Sequence, residues 1–301
     1  MDPRRVLTFR AVAHERSFSA AARALSLTQP AVSQQVAALE RELGARLLDR
    51  EHAMALTPAG EVLLAHADAI AERFALAERQ LAELAVPPRL RIGAFPSALA
   101  ALVPRAVARL GAAAGEPPSA RAAGALGEVI LEEGTTPELA DRVGRGELHL
   151  ALGFQDATLE RREHDGVERR DLLQETFLVA LPPGHRLAAL DAIPLTALAE
   201  ERWIAPSGNN LIARACAAAG FEMQLSMVSR DPLANRGVIA AGLAVTLVPR
   251  LGADGFHGLE LRPIEGEGPR RDVYALLPRG GRHPQAEDAW DALVEVASAF
   301  G

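Results

Sequence analysis

Apolar positions in the first fifty residues recur at spacings of three and four, interrupted by short polar steps. This predicts short helices in quick succession. Asp2 followed by Pro3 reads as a helix start, with Val6, Phe9, Val12 and Ala13 on one face. Ser17-Phe18-Ser19 breaks that helix, and Ser19 is placed to cap a second whose inner face is Ala21, Ala22 and Leu25. Thr28 is placed to cap a third helix with Pro30 near its first position, and Gly44 ends it. Val32, Val36, Leu39 and Leu43 form a continuous apolar stripe along this helix. From Pro58 to Leu84 one long helix is expected, because no Pro follows Pro58 and no Gly follows Gly60. Val62, Leu63, His66, Ala69, Ile70, Arg73, Ala77 and Leu81 mark a seam with coiled-coil-like steps. A helix standing between two globular parts is expected to turn that seam toward a second copy of the chain.

Pro87-Pro88 ends the long helix, and strand-like and helix-like stretches then alternate. The strand candidates are Arg89–Phe95, Glu128–Glu132, Leu148–Phe154, Thr176–Leu181, Arg202–Ala205, Glu222–Ser229, Ala244–Val248, Leu259–Ile264 and Asp272–Leu277. The helix candidates are Ser97–Leu110, Pro137–Arg145, Leu195–Glu201, Asn209–Ala219, Pro232–Ala241 and Gln285–Ala299. Such alternation signals an α/β fold with βαβ units. Gly111–Ala125, rich in Gly, Ala and Pro, reads as a flexible insertion.

Composition sharpens this picture. A chain of 301 residues fits two or three units at one per ~150 residues. Lys is absent, so every basic side chain is Arg. The net charge is −7, yet residues 1–58 carry eight Arg against six acids, a +2 head on a body of −9. A mildly basic head suits a part that meets an anion. The single cysteine, Cys216, excludes an intrachain disulfide. It fits a reducing compartment and reads as a packing residue beside Ala215 and Ala217. Asp2, Arg4 and Arg5 open the chain without an apolar run, so no secretory signal is expected. The apolar stretch Val238 to Val248 is too short to span a bilayer. The expected location is the cytoplasm, with no membrane partner.

Short helix, tight turn and amphipathic third helix follow the helix-turn-helix plan. Opposite the stripe of the third helix lie Gln29, Ser33 and Gln34, with Gln35 and Ala37 toward the flank. Gln pairs with adenine through two hydrogen bonds and Ser reaches either base type. A helix N-terminus favours phosphate. Residue types alone leave a recognition helix and an ordinary solvated face equally open.

The longer string weighs between them. FRAVAHERSFSAAARALSLTQPAVSQQVAALERELGARLLDR, followed by LTPAG and a long helix, resembles the LysR-type transcriptional regulators. The resemblance is dense over about the first 85 residues and continues through GAFPSA, GELHLALG and VIAAGLAVTLVP. It implies an α/β protein with an all-α winged helix-turn-helix N-terminal domain and a C-terminal two-lobed α/β domain like the periplasmic binding proteins. The expected division is 1–58 for DNA binding, 59–87 for a linker and dimerisation helix, and 88–301 for effector binding. Lobe one of the last would be 88–163 plus 270–301, and lobe two 164–269.

The resemblance places Thr28, Gln29, Pro30, Ser33 and Gln34 at DNA-contacting positions, and Arg50 where the wing begins. The wing, Arg50-Glu51-His52-Ala53-Met54-Ala55-Leu56, is short and poor in Arg. Fewer phosphate contacts mean weaker non-specific binding with a flatter salt dependence. In the body, ligands of open α/β sheets bind beyond the strands' carboxyl ends, where Ser97, Thr135, Ser207 and Asn209 open helices. Phe95 and Phe154 offer an apolar wall. A small organic anion is the expected effector, with Ser97, at the family's effector position, its first contact; each of the others also fits simple capping. The implied partners are double-stranded DNA carrying an inverted repeat, the effector, further copies of the chain as a dimer or tetramer, and RNA polymerase.

Chemistry of other kinds finds no motif. The eight histidines are scattered, with no H-E-x-x-H pair, G-x-S-x-G elbow or phosphate loop. Neither enzyme, metal nor cofactor is expected. A solute-binding protein would need an export signal and would have no use for the head. An architectural DNA-binding protein with a ligand-free oligomerisation scaffold remains the alternative.

Overall fold

The computed structural model describes residues 1–49, 54–83, 89–113, 128–208 and 210–300. Contacts divide the chain into Met1–Ala85 and Val86–Gly301.

In the head, α1 (Pro3–Glu15) begins at Asp2, whose carboxylate accepts from the Arg4 N–H at 2.9 Å. The cap of α2 (Phe18–Ala24) is Ser17, not Ser19: its hydroxyl accepts from the Ala20 N–H at 3.2 Å. Ser17 is the residue with extended backbone, as a cap requires, and Ser19 is already helical. Thr28 caps α3 (Gln29–Leu43), and Gly44 ends it at φ 65°. Val6, Phe9, Val12, Ala21, Ala22, Val32, Val36 and Leu39 close one core. Leu43 is 40% exposed; it continues the stripe one turn beyond the helices that cover it.

A two-residue ladder, β1 (Leu48–Asp49) against β2 (Ala55–Leu56), forms the base of the wing. Glu40 of α3 anchors it by accepting from the Leu47 N–H at 2.9 Å. The long helix α4 runs Pro58–Glu83. Its expected seam is split. Leu63 and Ile70 turn into the head core, whereas Val62, His66, Ala69, Arg73, Ala77 and Leu81 stay exposed. The core of the small head needs those two residues to close its open side.

In the body, β3 (Arg89–Ala94) lies parallel between β4 (Glu128–Glu133) and β5 (Leu150–Asp156). β5 pairs antiparallel with β11 (Arg270–Pro278), which pairs antiparallel with β6 (Val167–Leu181). The far half of β6 carries β9 (Thr246–Pro249) and β10 (Glu260–Pro263). A separate parallel pair joins β7 (Arg202–Ala205) to β8 (Gln224–Val228). The helices are α5 (Pro96–Ala101), α6 (Val103–Ala113), α7 (Thr136–Gly144), α8 (Leu211–Ala218), α9 (Pro232–Ala240) and α10 (Ala286–Ala297).

Three expectations need correction here. The single helix Ser97–Leu110 is two, because Pro104 has no N–H to continue the ladder and sits in the first turn of a new helix. Leu195–Glu201 is a short 3-10 segment, Leu195–Leu198. The strand expected at Thr176–Leu181 starts nine residues earlier, at Val167. Its first half is highly charged and is held by nine register partners on β11. Of the Gly111–Ala125 stretch, residues 114–125 lie outside the described residues.

The body's apolar cores fall into two groups. One packs α5, α6 and α10 against β3, β5 and β11, with α7 on the other face of that sheet. The other packs β6, β7, β9, α8 and α9 around Trp203 and Phe256.

Two outcomes follow from this packing. A Cβ on Gly60 would stand 2.1 Å from the Leu47 carbonyl oxygen, and backbone cannot give way as a flexible side chain does. Gly60→Ala is expected to destabilise the head by about 2–3 kcal/mol, the cost typical of overpacking. Faster amide exchange at Val36 and Leu39 would register it. His149 is buried, with its Nδ1 accepting from the Arg91 N–H at 3.0 Å and its ring against that of His283. Burial, and then the charge of Arg91, push its pKa down to about 4. The unfolded chain therefore binds this proton first. Stability is whole above about pH 6.5 and falls as pH drops from there toward 4, by up to about 3 kcal/mol. Both tryptophans, Trp203 and Trp290, lie in the body. Fluorescence-detected unfolding should show the slope, and His149→Gln should flatten it.

Candidate nucleic-acid interface and ligand site

The head's interface is built on α3. Val32, Val36 and Leu39 are fully buried, which fixes the rotation of the helix and turns the opposite face outward. Thr28, Gln29, Pro30 and Gln34 are exposed and Ser33 is half-buried. Thr28 also has a local duty, because its hydroxyl accepts from the Ala31 N–H at 3.4 Å. Gln35, on the flank, is committed elsewhere: its Oε1 accepts from the Thr8 hydroxyl at 2.6 Å, tying α3 to α1. Arg50 lies outside the described residues, and the wing is seen only at its base.

Some of the head's positive charge is used internally. Arg5 pairs with Glu42 at 3.2 Å. Arg10 and His14, both on α1, meet Asp68 of α4 at 2.6 and 2.8 Å. Burial alone would raise Asp68, but the hydrogen bonds from His14 and Arg10 outweigh it and hold the carboxyl below its usual range. This cluster fixes where α4 leaves the three-helix core.

In the body the structure brings together three expected residues and two unforeseen ones. Ser97 stands in the first turn of α5. Its Oγ accepts from Arg271 Nη2 at 2.7 Å. Arg271 of β11 is buried and paired with Glu175 of β6, Nε to Oε1 at 2.6 Å and Nη2 to Oε1 at 2.5 Å. Phe95 and Phe154 meet edge to face at 4.9 Å between centroids. The Arg271 guanidinium lies 4.6 and 4.5 Å from their centroids. Both rings therefore lie against a cation, where the sequence suggested a bare apolar wall. The second carboxylate oxygen of Glu175 accepts from the Leu251 N–H at 2.9 Å. Gly252 follows, and a Cβ there would be 3.4 Å from that of Ser97, so α5 and the 3-10 segment Arg250–Phe256 touch.

The other expected contacts have local partners. The hydroxyl and N–H of Thr135 both donate to Glu138, at 2.7 and 2.9 Å, which closes the start of α7. Those hydrogen bonds, the backbone one first, hold the Glu138 carboxyl below its ordinary value. Thr136 Oγ1 accepts from the Phe154 N–H at 3.1 Å and so fixes α7 to β5. The carbonyl of Ser207 accepts from the Asn210 side chain. Asn210, and not Asn209, caps α8, by accepting from the N–H groups of Ile212 and Ala213; Asn209 lies outside the described residues. Arg214 of α8 pairs with Asp156 at 2.8 Å, which brings α8 to the end of β5.

On the opposite face of β6 and β11, Gln155, Arg169, Asp171, Gln174 and Asp272 line a pocket of about 400 Å³. Its charges are already matched: Asp171 takes both Arg161 and Arg169. Sequence reasoning missed Arg271 and Glu175. They lie 96 residues apart, and only the β6–β11 register makes them neighbours. No local pattern marked them, because Arg271 sits between Arg270 and Asp272 and Glu175 between Gln174 and Thr176. Among the described residues, no group of His, Cys, Asp and Glu is arranged to hold a metal, and no helix is long and apolar enough to cross a membrane.

Comparison with known proteins agrees along the chain. Residues 3–61 match the bacterial regulatory helix-turn-helix proteins of the lysR family, and residues 86–298 match the LysR substrate binding domain. A relative from Mycobacterium avium, a probable hydrogen peroxide-inducible genes activator, is 34% identical over 250 residues, covering 80% of this chain and 76% of its own. The SDS degradation transcriptional activation protein of Pseudomonas sp. (strain ATCC 19151) is 32% identical over 302 residues, covering 95% and 93%. Among solved structures, HinK from Pseudomonas aeruginosa shares the fold at a TM-score of 0.59 and 20% identity, covering 100% of this chain and 99% of its own. CbnR complexed with its target DNA does so at 0.55 and 22%, covering 100% of both. With a lysR-type helix-turn-helix in the head and a LysR substrate-binding domain filling the body, the chain belongs to the LysR family of DNA-binding transcriptional regulators, which are not enzymes.

Proposed function

We propose that this regulator reads an inverted-repeat DNA site through α3 as a homo-oligomer, and that a small organic ligand beside Ser97 modulates it. The observation that carries the DNA reading is the division of α3. Three fully buried residues fix the helix, and the face opposite offers Gln29, Ser33 and Gln34. A helix so placed enters the major groove by its N-terminal residues, with Arg50 on the flanking backbone. The oligomer is supported by the exposed side of α4, where Val62 and Leu81 are 64% and 66% exposed and Phe74 is 50% exposed. Two heads held by paired α4 helices reach half-sites about one helical turn apart. A dimer of such dimers bends DNA, and the ligand alters that bend and the recruitment of RNA polymerase. The work is done in the cytoplasm.

The ligand reading is supported by Phe95, Ser97 and Phe154 meeting at one place. Arg271 there is already neutralised by Glu175. The site therefore selects an acceptor oxygen, carboxylate or carbonyl, more than a net negative charge. Thr135 and Ser207 are engaged by local partners and serve their own helix starts. Peroxide sensing, which the name of the Mycobacterium avium relative suggests, is disfavoured. Cys216 is fully buried, and burial pushes its thiol up to about 11, so it stays protonated and unreactive.

Fluorescence anisotropy against the DNA upstream of the protein's own gene, with unrelated DNA as competitor, tests the head. Ser33→Ala with Gln34→Ala should weaken specific binding by tenfold or more, as ~1–3 kcal/mol per lost base contact implies. The fold and oligomer should be unchanged. Undiminished operator binding by that variant would refute the assignment. The redox point is separable. Millimolar peroxide should leave operator affinity unchanged, and Cys216→Ser should bind as the parent does. A peroxide response lost in Cys216→Ser would overturn it.

A further inference from the structure

Arg271 and Glu175 face one another on antiparallel strands, beside an apolar core. Each is 5% exposed. Burying such a pair costs several kcal/mol per ion, and an apolar pair of like volume commonly does as well or better. Bare stability therefore does not account for it. What distinguishes this pair is where the remaining polar atoms go. Arg271 Nη2 reaches Ser97 Oγ, on α5, at 2.7 Å. Glu175 Oε2 takes the N–H of Leu251 at 2.9 Å, at the start of the 3-10 segment that follows β9. Four groups thus form one hydrogen-bonded chain, Ser97–Arg271–Glu175–Leu251. It runs from α5, in the group of cores around β3, to the segment that extends the strands on the far half of β6. Guanidinium has donors only, so Ser97 Oγ must be the acceptor in its bond, and its one hydroxyl hydrogen is left to donate away from Arg271.

We propose that Arg271 and Glu175 are positioning residues of the ligand site: they orient the Ser97 hydroxyl as a donor toward a ligand acceptor oxygen, and they relay displacement of Ser97 to the Arg250–Phe256 segment. The proposal rests on the reading of Ser97 as a ligand contact. The relay itself is a property of the ligand-free protein. A ligand that draws Ser97 away from Arg271 leaves a buried guanidinium short of one partner. Arg271 then shifts with Glu175, and the Leu251 N–H loses its acceptor. Phe95 and Phe154 limit that shift because both rings lie against the guanidinium.

Amide hydrogen exchange on the full-length, ligand-free protein tests this without DNA or effector. Ser97→Ala removes one oxygen at the far end of the chain from Leu251. It should speed exchange at Leu251 and its immediate neighbours at least threefold, while Ile92 and Leu152 keep their parental rates. Glu175→Gln should speed the same amides at least tenfold. Because that variant strands a buried Arg271 and can fail to fold, the paired variant Glu175→Leu with Arg271→Leu is measured beside it. It should stay folded and show the same local rise. Parental exchange at Leu251 in Ser97→Ala would overturn the relay. Equal loosening of Ile92, Leu152 and Leu251 in the paired variant would reduce the ion pair to core packing. A failure of Ser97 to contact a ligand would appear instead in effector titrations of Ser97→Ala and would leave these exchange rates as they are.

Discussion

The pairing of β6 with β11 is the constraint on which the body of this regulator depends. β6 is fifteen residues long and has two sets of partners: β11 from Val167 to Thr176, and β9 and β10 from Phe177 to Leu181. The two groups of cores are thus built on one continuous strand. Register decides everything along such a strand, because a slip of one residue sends each side chain to the other face. With the register observed, Glu175 faces Arg271 beside Ser97, while Gln174 and Asp272 turn to the opposite surface and bond to each other there. A one-residue slip of β6 would bury Gln174 and expose Glu175, leaving Arg271 buried without its partner, a large penalty. The buried pair therefore enforces the register that places it.

A similar economy of faces governs the head. α3 has to be a core helix on one side and a reading surface on the other, so its apolar side is narrow: Val32, Val36 and Leu39. The rest of the core comes from α1, α2, Leu47, Leu48 and α4. By giving Leu63, Ala67 and Ile70 to the head, α4 becomes both the closing element of one domain and the exposed surface offered to another copy. The Asp68 cluster lies on the same stretch of α4, where Arg10 and His14 converge on one carboxylate. Exposed ion pairs contribute little to stability, so the value of this one is geometric: it fixes the direction in which the helix departs.

The parts legible in the sequence were those set by neighbours along the chain. The spacings of four, three and four in α3, its Thr28 cap and its Gly44 stop are local facts, and each follows from helix geometry. Helix N-termini after strands were legible for the same reason, and they bracketed the region in which Phe95, Ser97 and Phe154 converge. Local errors arose where two candidates competed. Ser17 and Ser19 both suit a cap, and only the backbone conformation at Ser17 decides. Pro104 reads as tolerable near a helix start and as a break inside a helix, and the break won. The first half of β6 was illegible because VERRDLLQE offers no apolar alternation; its strand character comes from β11, about a hundred residues away.

Most instructive is Ser97, whose position was legible and whose chemistry was not. From sequence it is a hydroxyl at a helix start, suited to an anion. Beside Arg271 its oxygen already accepts one hydrogen bond and its hydrogen is left to donate, and the local charge is cancelled by Glu175. The same residue type in the same place therefore asks for a different ligand property: a hydrogen-bond acceptor, with net charge secondary. No reading of nearby residues reaches that conclusion, since Arg271 stands 174 positions from Ser97 along the chain. Sequence patterns locate a site through its secondary structure. What the site recognises is set by which distant side chain has already taken one of its hydrogen-bonding capacities.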